Sequence, residues 1–261
     1  VPTSAWWREP PNSTEGPKSR YGRERRETGG MDQHPDLGIL GRTELFRGAP
    51  MAALQDAQAA SFRKRVAPDE IVLRQGDVAT NLYVIIVGRL RAIQTTADGQ
   101  QVIVRYLGPG EVAGYTALSG GERHPGTVIA VDDTHLFGWT ESAIKEVMRK
   151  HSSIALNAVA LLGERYHEMQ IRLRELSTEK VEQRIAHTIV RLSQQAGRRT
   201  ARGIEIAIPL SRQDLAEMSG TTLHTVSRTL SAWEEQGIVS CGRRRVVVSD
   251  PQKLLSVTEE V

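Results

Sequence analysis

The chain is 261 residues long, with 34 lysines and arginines against 31 aspartates and glutamates, a formal net charge of +3 and one cysteine, Cys241. That length accommodates one large core or two smaller ones, and the mildly basic balance is compatible with a nucleic-acid partner without demanding one. A lone cysteine excludes an internal disulfide framework and an iron–sulfur cluster; no apolar run reaches the ~20 residues that span a bilayer and no signal peptide is visible, so a cytoplasmic protein without a membrane partner is expected.

Residues 1–36 read as a disordered N-terminal extension. The stretch mixes Pro2, Pro10, Pro11 and Pro17 with Arg20, Arg23, Arg25 and Arg26, and its first thirty residues have no apolar period. A solvated tail, an upstream extension and a DNA-contacting basic arm all fit it, and Met31 is the expected natural start. Residues 37–140 read as an antiparallel β-roll, jelly-roll-like, entered through short helical pieces such as LFRGAPMAALQDAQ. Ile71, Leu73, Tyr83, Ile85, Val87, Leu90, Ala92, Val102, Val104 and Tyr106 sit in short alternating runs. Turn signals at Gly76-Asp77, Gly88, Asp98-Gly99 and Gly108-Pro109-Gly110 separate the runs. Short strands this closely spaced predict a small roll or barrel.

Residues 141–176 read as a helical region opened by Thr140 and Glu141. Ala155, Val159, Leu162, Tyr166, Met169, Leu173 and Leu176 alternate in steps of four and three, a coiled-coil seam that predicts a parallel dimer. The same pattern also fits one amphipathic helix packed on its own domain. Ser177 and Thr178 are expected to restart the chain into a second helix, VEQRIAHTIVRLSQQAG, followed by a strand, IEIAIPL.

Residues 177–261 read as a winged helix-turn-helix, centred on SRQDLAEMSGTTLHTVSRTL from Ser211 to Leu230. Ser211 is placed to cap a first helix, and Thr221 or Thr222 a second. Gly220 falls where the turn between them needs positive φ, and Ala216 where a larger side chain would push the helices apart. Leu215, Met218, Leu223, Val226 and Leu230 have the spacing of inner faces, leaving Thr222, His224, Thr225, Ser227 and Arg228 to face outward as candidate contacts to bases and phosphates. Gly237 stops the second helix. Ile238-Val239-Ser240, Gly242-Arg243-Arg244-Arg245 and Val246-Val247-Val248 then read as a strand, an arginine-bearing tip and a return strand. Arg243 and Arg244 are candidate phosphate contacts in a wing; a solvated hairpin fits equally well.

These parts in this order, over about Leu45 to Leu255, resemble the Crp–Fnr family of bacterial transcription regulators. The motifs that carry the likeness are LGPGEVAG, SGGERHPGTVIAV and LSRQDLAEMSGTTLHTVSRTL. The resemblance implies an α+β architecture of β-roll sensory domain, long dimerisation helix and C-terminal winged helix-turn-helix. It implies a homodimer on double-stranded DNA, with RNA polymerase as a partner and allosteric control from an effector in the roll. Two recognition helices about 34 Å apart would read a palindromic site. By the same resemblance Arg228 contacts the guanine of a TTG-type half-site, where its guanidinium fork matches O6 and N7, and Ser227 lies on the thymine side. His224 stands where the family most often has glutamate, so a different or relaxed inner base is expected.

Family members that bind cyclic nucleotides use a glutamate for the ribose hydroxyl and an arginine, then serine or threonine, for the cyclic phosphate. The matching positions here are Tyr115, His124 or the adjacent Arg123, and Pro125; Thr127 completes the candidate effector pocket. Tyrosine does not accept as a carboxylate does and proline has no N–H, so cyclic AMP is not expected. Haem sensing a diatomic gas, another small ligand or no ligand remain as alternatives. GTTLHTVSR looks like members concerned with nitrogen oxides or anaerobic respiration. His124, His151 and His167 are candidate axial ligands that read equally as ordinary histidines, and no metal ligand is assigned. The rival to a DNA-reading regulator is a ligand-binding protein that signals through protein partners with a vestigial DNA module; the Ser227-Arg228 pair argues against it. No Gly-rich phosphate loop, H-E-x-x-H or G-x-S-x-G motif points to an enzyme, and no catalytic residue is assigned.

Overall fold

The structure is a computed structural model that describes residues 35–259. Of the extension expected over residues 1–36, only the last two are described, and they begin a helix; the proline- and arginine-rich stretch and Met31 lie outside the described residues. Helices α1 (Pro35–Leu40) and α2 (Met51–Ala59) lead into the roll. The LFRGAP stretch between them, expected to be helical, is a run of turns instead. Gly48 there takes φ +70°, and Pro50 has no N–H to continue a helix.

Eight strands follow: β1 (Phe62–Val66), β2 (Ile71–Leu73), β3 (Asn81–Val87), β4 (Leu90–Thr95), β5 (Gln101–Leu107), β6 (Val112–Ala113), β7 (Thr127–Ala130) and β8 (Thr134–Thr140). They pair antiparallel into two four-stranded sheets, ordered β1-β8-β3-β6 and β2-β7-β4-β5, a jelly-roll arrangement. The alternation in β3 shows how its two faces are used. Tyr83 and Ile85 join Val72, Leu90, Leu107 and Val128 between the sheets, while Leu82 and Val84 join Phe46, Leu54 and Trp139 under the helices. Trp139 is fully buried and its indole N–H donates to the Ala57 carbonyl at 2.7 Å.

The Thr140 hydroxyl accepts from the Ala143 N–H and starts α3 (Glu141–Lys150), and α4 (Ser152–Thr178) follows for 27 residues, about 40 Å. Its inward face runs through Ile154, Ala158 and Leu161, all buried, and continues at the same spacing through Arg165, Glu168, Arg172 and Glu175. The expected restart at Ser177 and Thr178 does not occur. Their hydroxyls bond back to the Leu173 and Arg174 carbonyls at 2.8 and 2.9 Å, within the helix. The break comes at Glu179 and Lys180, both extended, before α5 (Val181–Ala196).

The C-terminal module adds β9 (Gly197–Thr200), β10 (Gly203–Ile206), α6 (Arg212–Ser219), α7 (Leu223–Glu235), β11 (Val239–Gly242), β12 (Arg245–Val248) and α8 (Pro251–Glu259). Its sheet has the order β11-β12-β10-β9. The strand expected as IEIAIPL ends at Ile206, because the Ala207 N–H turns back to the Ala196 carbonyl at 2.7 Å.

The core of this module extends onto the roll. Ile93, Ile103 and Tyr106 share one buried cluster with Ile189, Leu215, Met218 and Val226, and burial pushes the Tyr106 phenol up to about 12. Arg172 joins the parts: one guanidinium nitrogen donates to the Val104 carbonyl and the other to the Met218 carbonyl, each at 2.6 Å. Val104 is the extra residue of a bulge, since Ile103 pairs with Ile93 and Arg105 with Ala92, and this places its carbonyl outside the regular pairing. Arg172→Met keeps the stem and removes both donors, leaving two carbonyls short of a partner at about 1–3 kcal/mol each. The expected result is about tenfold or faster amide exchange at residues 218–220, and faster proteolysis at Glu179 and Lys180, with the unfolding midpoint of the roll unchanged. Exchange and cleavage equal to wild type would show that Arg172 does not hold the junction.

Candidate nucleic-acid interface

The helix-turn-helix is built by reciprocal caps. The Ser211 hydroxyl accepts from the Asp214 N–H at 3.0 Å, and the Ser211 N–H donates to the Asp214 carboxylate at 2.7 Å, a capping box that starts α6. Gly220 ends it at φ +63°, and a Cβ there would stand 2.9 Å from Leu176 Cδ2 of the long helix. Thr222 caps α7, accepting from the Thr225 N–H at 3.2 Å and bonding the Thr225 hydroxyl at 2.9 Å.

Within α7, Val226, Thr229, Leu230 and Trp233 are buried against the module. Thr222, His224 and Arg228 are exposed, and Thr225 and Ser227 half-buried, along the outer face. Arg228 makes no hydrogen bond or ion pair with the other described residues, so its donors are free for an external acceptor. Leu223, expected on the inner face, is 48% exposed. As the first residue of α7 it precedes the turns that cross α6, and it faces a groove of about 340 Å³ instead.

That groove brings Ser211 together with Arg243 and Arg244 at the tip between β11 and β12. Arg244 takes φ +55°, and its carbonyl accepts from the Leu210 N–H at 3.1 Å, which fixes the tip beside the start of α6. Arg212 and Gln213 line the same groove and were not singled out in the sequence, where they read only as polar residues in a first helical turn. The Ser211 hydroxyl oxygen already serves its cap, so of the outward residues Arg228, His224, Arg243 and Arg244 offer the freest polar groups.

The candidate effector residues lie on the stretch from β6 to β7. Arg123, His124 and Thr127 gather along one turn: Arg123 donates to the Gly76 carbonyl at 2.6 Å, and the Thr127 hydroxyl accepts from the Gln75 N–H at 3.1 Å. His124 is buried between them, with its backbone bonded to Gly76 and Asp77, and burial pulls its imidazole pKa down against the opposing pull of Asp77. Tyr115 opens a 3₁₀ turn (Tyr115–Leu118) and packs with Leu118 against the helical cluster around Trp139.

Comparison with known proteins gives this arrangement a lineage. Residues 63–151 match the cyclic nucleotide-binding domain and residues 183–257 the Crp-like helix-turn-helix domain. The chain is 30% identical over 207 residues to the cyclic AMP receptor protein of Thermus thermophilus, a match that covers 79% of this chain and 92% of that protein. The chain belongs to the Crp–Fnr family. It is similar, at 28% identity over 220 residues, to the nitrogen fixation regulation protein FixK of Azorhizobium caulinodans, covering 81% of this chain and 87% of that one. The solved structure of FixK2 from Bradyrhizobium japonicum has the same fold, with a TM-score of 0.67 at 24% identity over 77% of this chain and 98% of that one. These relatives are transcription regulators, not enzymes.

Thr222 fixes the first turn of α7 through its cap. Thr222→Ala should lower the stability of the winged module by about 1 kcal/mol, while Thr222→Ser, which keeps the acceptor, restores it. Thermal denaturation of the three proteins checks this; equal melting of the alanine and serine variants would exclude a capping role.

Proposed function

We propose that the chain is a homodimeric transcription regulator joined along α4, reading palindromic TTG-type half-sites through α7, working with RNA polymerase and controlled allosterically from its N-terminal half. The observation that carries this reading is the open stripe on α4. Val159, Leu162, Tyr166, Met169, Leu173 and Leu176 are 66, 41, 63, 68, 67 and 48% exposed. A contiguous apolar strip of this length is unfavourable in water, and its heptad spacing suits a second copy of the same helix. Two-fold pairing then presents two copies of α7 to one face of a duplex.

The free guanidinium of Arg228 supports guanine readout, and Arg243 and Arg244 support salt-dependent phosphate contacts that carry no sequence information. The name of the Thermus relative raises cyclic AMP as the effector. The residues here favour another: position 115 has no carboxylate and Pro125 no N–H. Haem does not fit them better. His124 is buried against the Gly76–Asp77 backbone, His151 bonds the Asp56 carboxylate at 2.9 Å, and His167 is exposed on α4.

Two variants test the reading. Leu173→Glu should convert the dimer to monomer in sedimentation and cut specific DNA affinity about tenfold or more. A dimer that survives would move the interface elsewhere. Arg228→Ala should cost about 1–3 kcal/mol on a TTG palindrome at fixed salt and relax the preference for guanine. Fluorescence anisotropy against scrambled DNA measures both, and unchanged affinity with unchanged preference would contradict the assignment.

A further inference from the structure

We propose that the cleft between the roll and the winged module is a binding site for a small phosphorylated anion, whose occupancy sets the angle between the two. The effect on that angle rests on the DNA-reading function proposed above; the site itself does not. The cleft has a volume of about 360 Å³. Arg42 and Arg47, between α1 and α2, Arg89 in the turn after β3, and the Gly108-Pro109-Gly110 turn form one wall; Arg198 and the end of α5 form the other. That volume lies in the range of small-ligand pockets.

Positive charge is in excess here. Arg42 and Arg47 are exposed and meet no carboxylate among the described residues. Arg89 reaches Asp132 only at 3.5 Å. Arg198 shares Glu205 with Arg245, at 3.0 and 2.7 Å. Glu44 and Glu111 also line the cleft, but both are engaged. Glu44 accepts from Arg165 through both oxygens at 2.9 and 3.0 Å, while Glu111 is bonded by Arg105 and by the Gly108 N–H at 2.6 Å. Four guanidiniums drawn from three chain segments face one recess, two of them with no carboxylate partner among the described residues, and their forks suit phosphate oxygens. The C-terminal end of α5 opposes an anion, but its Ala196 carbonyl is taken by the Ala207 N–H at 2.7 Å.

A shallower cleft of about 450 Å³ shares Arg89 and Arg198 and continues to Arg244 and Arg245 at the wing. An anion at the first cleft therefore draws the roll toward β9, the edge strand that carries Arg198. A small anion fits better than duplex DNA, because the arginines line a recess between two bodies.

The test is calorimetric titration of tripolyphosphate into the intact protein at physiological salt. Saturable binding to wild type is expected. Arg42→Ala with Arg47→Ala should weaken it about tenfold or more, and Arg198→Ala on the opposite wall about threefold or more. All three are exposed, so the fold is kept, and Arg74→Ala, outside the cleft, should leave tripolyphosphate binding unchanged. Absence of saturable binding overturns the site. So does loss of binding in Arg243→Ala with retention in Arg42→Ala/Arg47→Ala, because the anion would then sit on the DNA-facing surface. ATP in place of tripolyphosphate separates the sources: tighter binding assigns a nucleotide, weaker binding an inorganic phosphate chain. Tripolyphosphate should also change the DNA affinity of wild type and not that of the double variant. Anion binding that leaves DNA affinity unmoved overturns the effect on the angle alone. Failure of wild type to bind any DNA would sink the proposed function and that effect with it, while calorimetry still decides whether the site binds its anion.

Discussion

Arg172 is where the long helix, the roll and the winged module are tied to one another. Burial and the neighbouring Arg191 pull its pKa down, and Glu175 opposes them, yet the groups it touches directly are two carbonyls. One carbonyl is available because β5 bulges at Val104; the other because Met218 lies at the end of α6, where helix carbonyls lack partners. A half-buried cation held by two neutral acceptors from different domains has both bonds satisfied in the placement seen here. The placement of the winged module on the roll therefore depends on the bulge in β5 and on where α6 ends.

The same face of α4 changes character along its length, and this decides which end can move. Its first part is apolar and packs on the roll through Ile154, Ala158 and Leu161. Its second part is ionic: Arg165 bonds Glu44 and lies 3.5 Å from Glu111, and buried Glu175 accepts from Arg191 through both oxygens at 2.7 Å. Burial pushes the Glu111 carboxyl up, while Arg105 and the Gly108 N–H pull it back. Directional contacts of this kind exchange partners in discrete steps, whereas an apolar face holds one packing. Leu176, the last residue of the open seam, lies against Gly220 in the helix-turn-helix. In the proposed dimer, packing between two copies of α4 and the pose of α6 would thus meet at one contact.

What was legible in the sequence was whatever obeyed a period or a cap. The seam from Val159 to Leu176, the capping box at Ser211 and the left-handed Gly220 all appear where spacing alone puts them. The inner stripe of α4 was not legible, because Arg165, Arg172 and Glu175 look like a solvated face until their partners on β5, α5 and the first turns are in place. β9 was missed as well: its Arg198 and Arg199 fall between the expected helix and the expected strand, and carry no apolar alternation, although both pair with β10. Ser177 and Thr178 misled because a hydroxyl that caps a helix also bonds back within one. α8 was missed although its start is signalled: Asp250 accepts from the Gln252 and Lys253 N–H groups at 3.1 Å, and Pro251 is the first helical residue.

The energies involved favour control at the domain junction. The space between the two roll sheets is occupied by Val72, Leu73, Tyr83, Ile85, Leu107 and Val128, and an effector entering there would have to displace close-packed apolar groups. Beside the apolar patch of Ile93, Ile103 and Tyr106, the junction is held by a handful of polar contacts, each worth about 1–3 kcal/mol when its partner is left buried without it. Coupling between distant sites in regulated proteins is typically about 1–3 kcal/mol, so a ligand that favours one placement of the winged module by a single such contact suffices to change its DNA affinity. A charge-rich boundary crossed by one small apolar patch is the cheapest place in this fold to build two states.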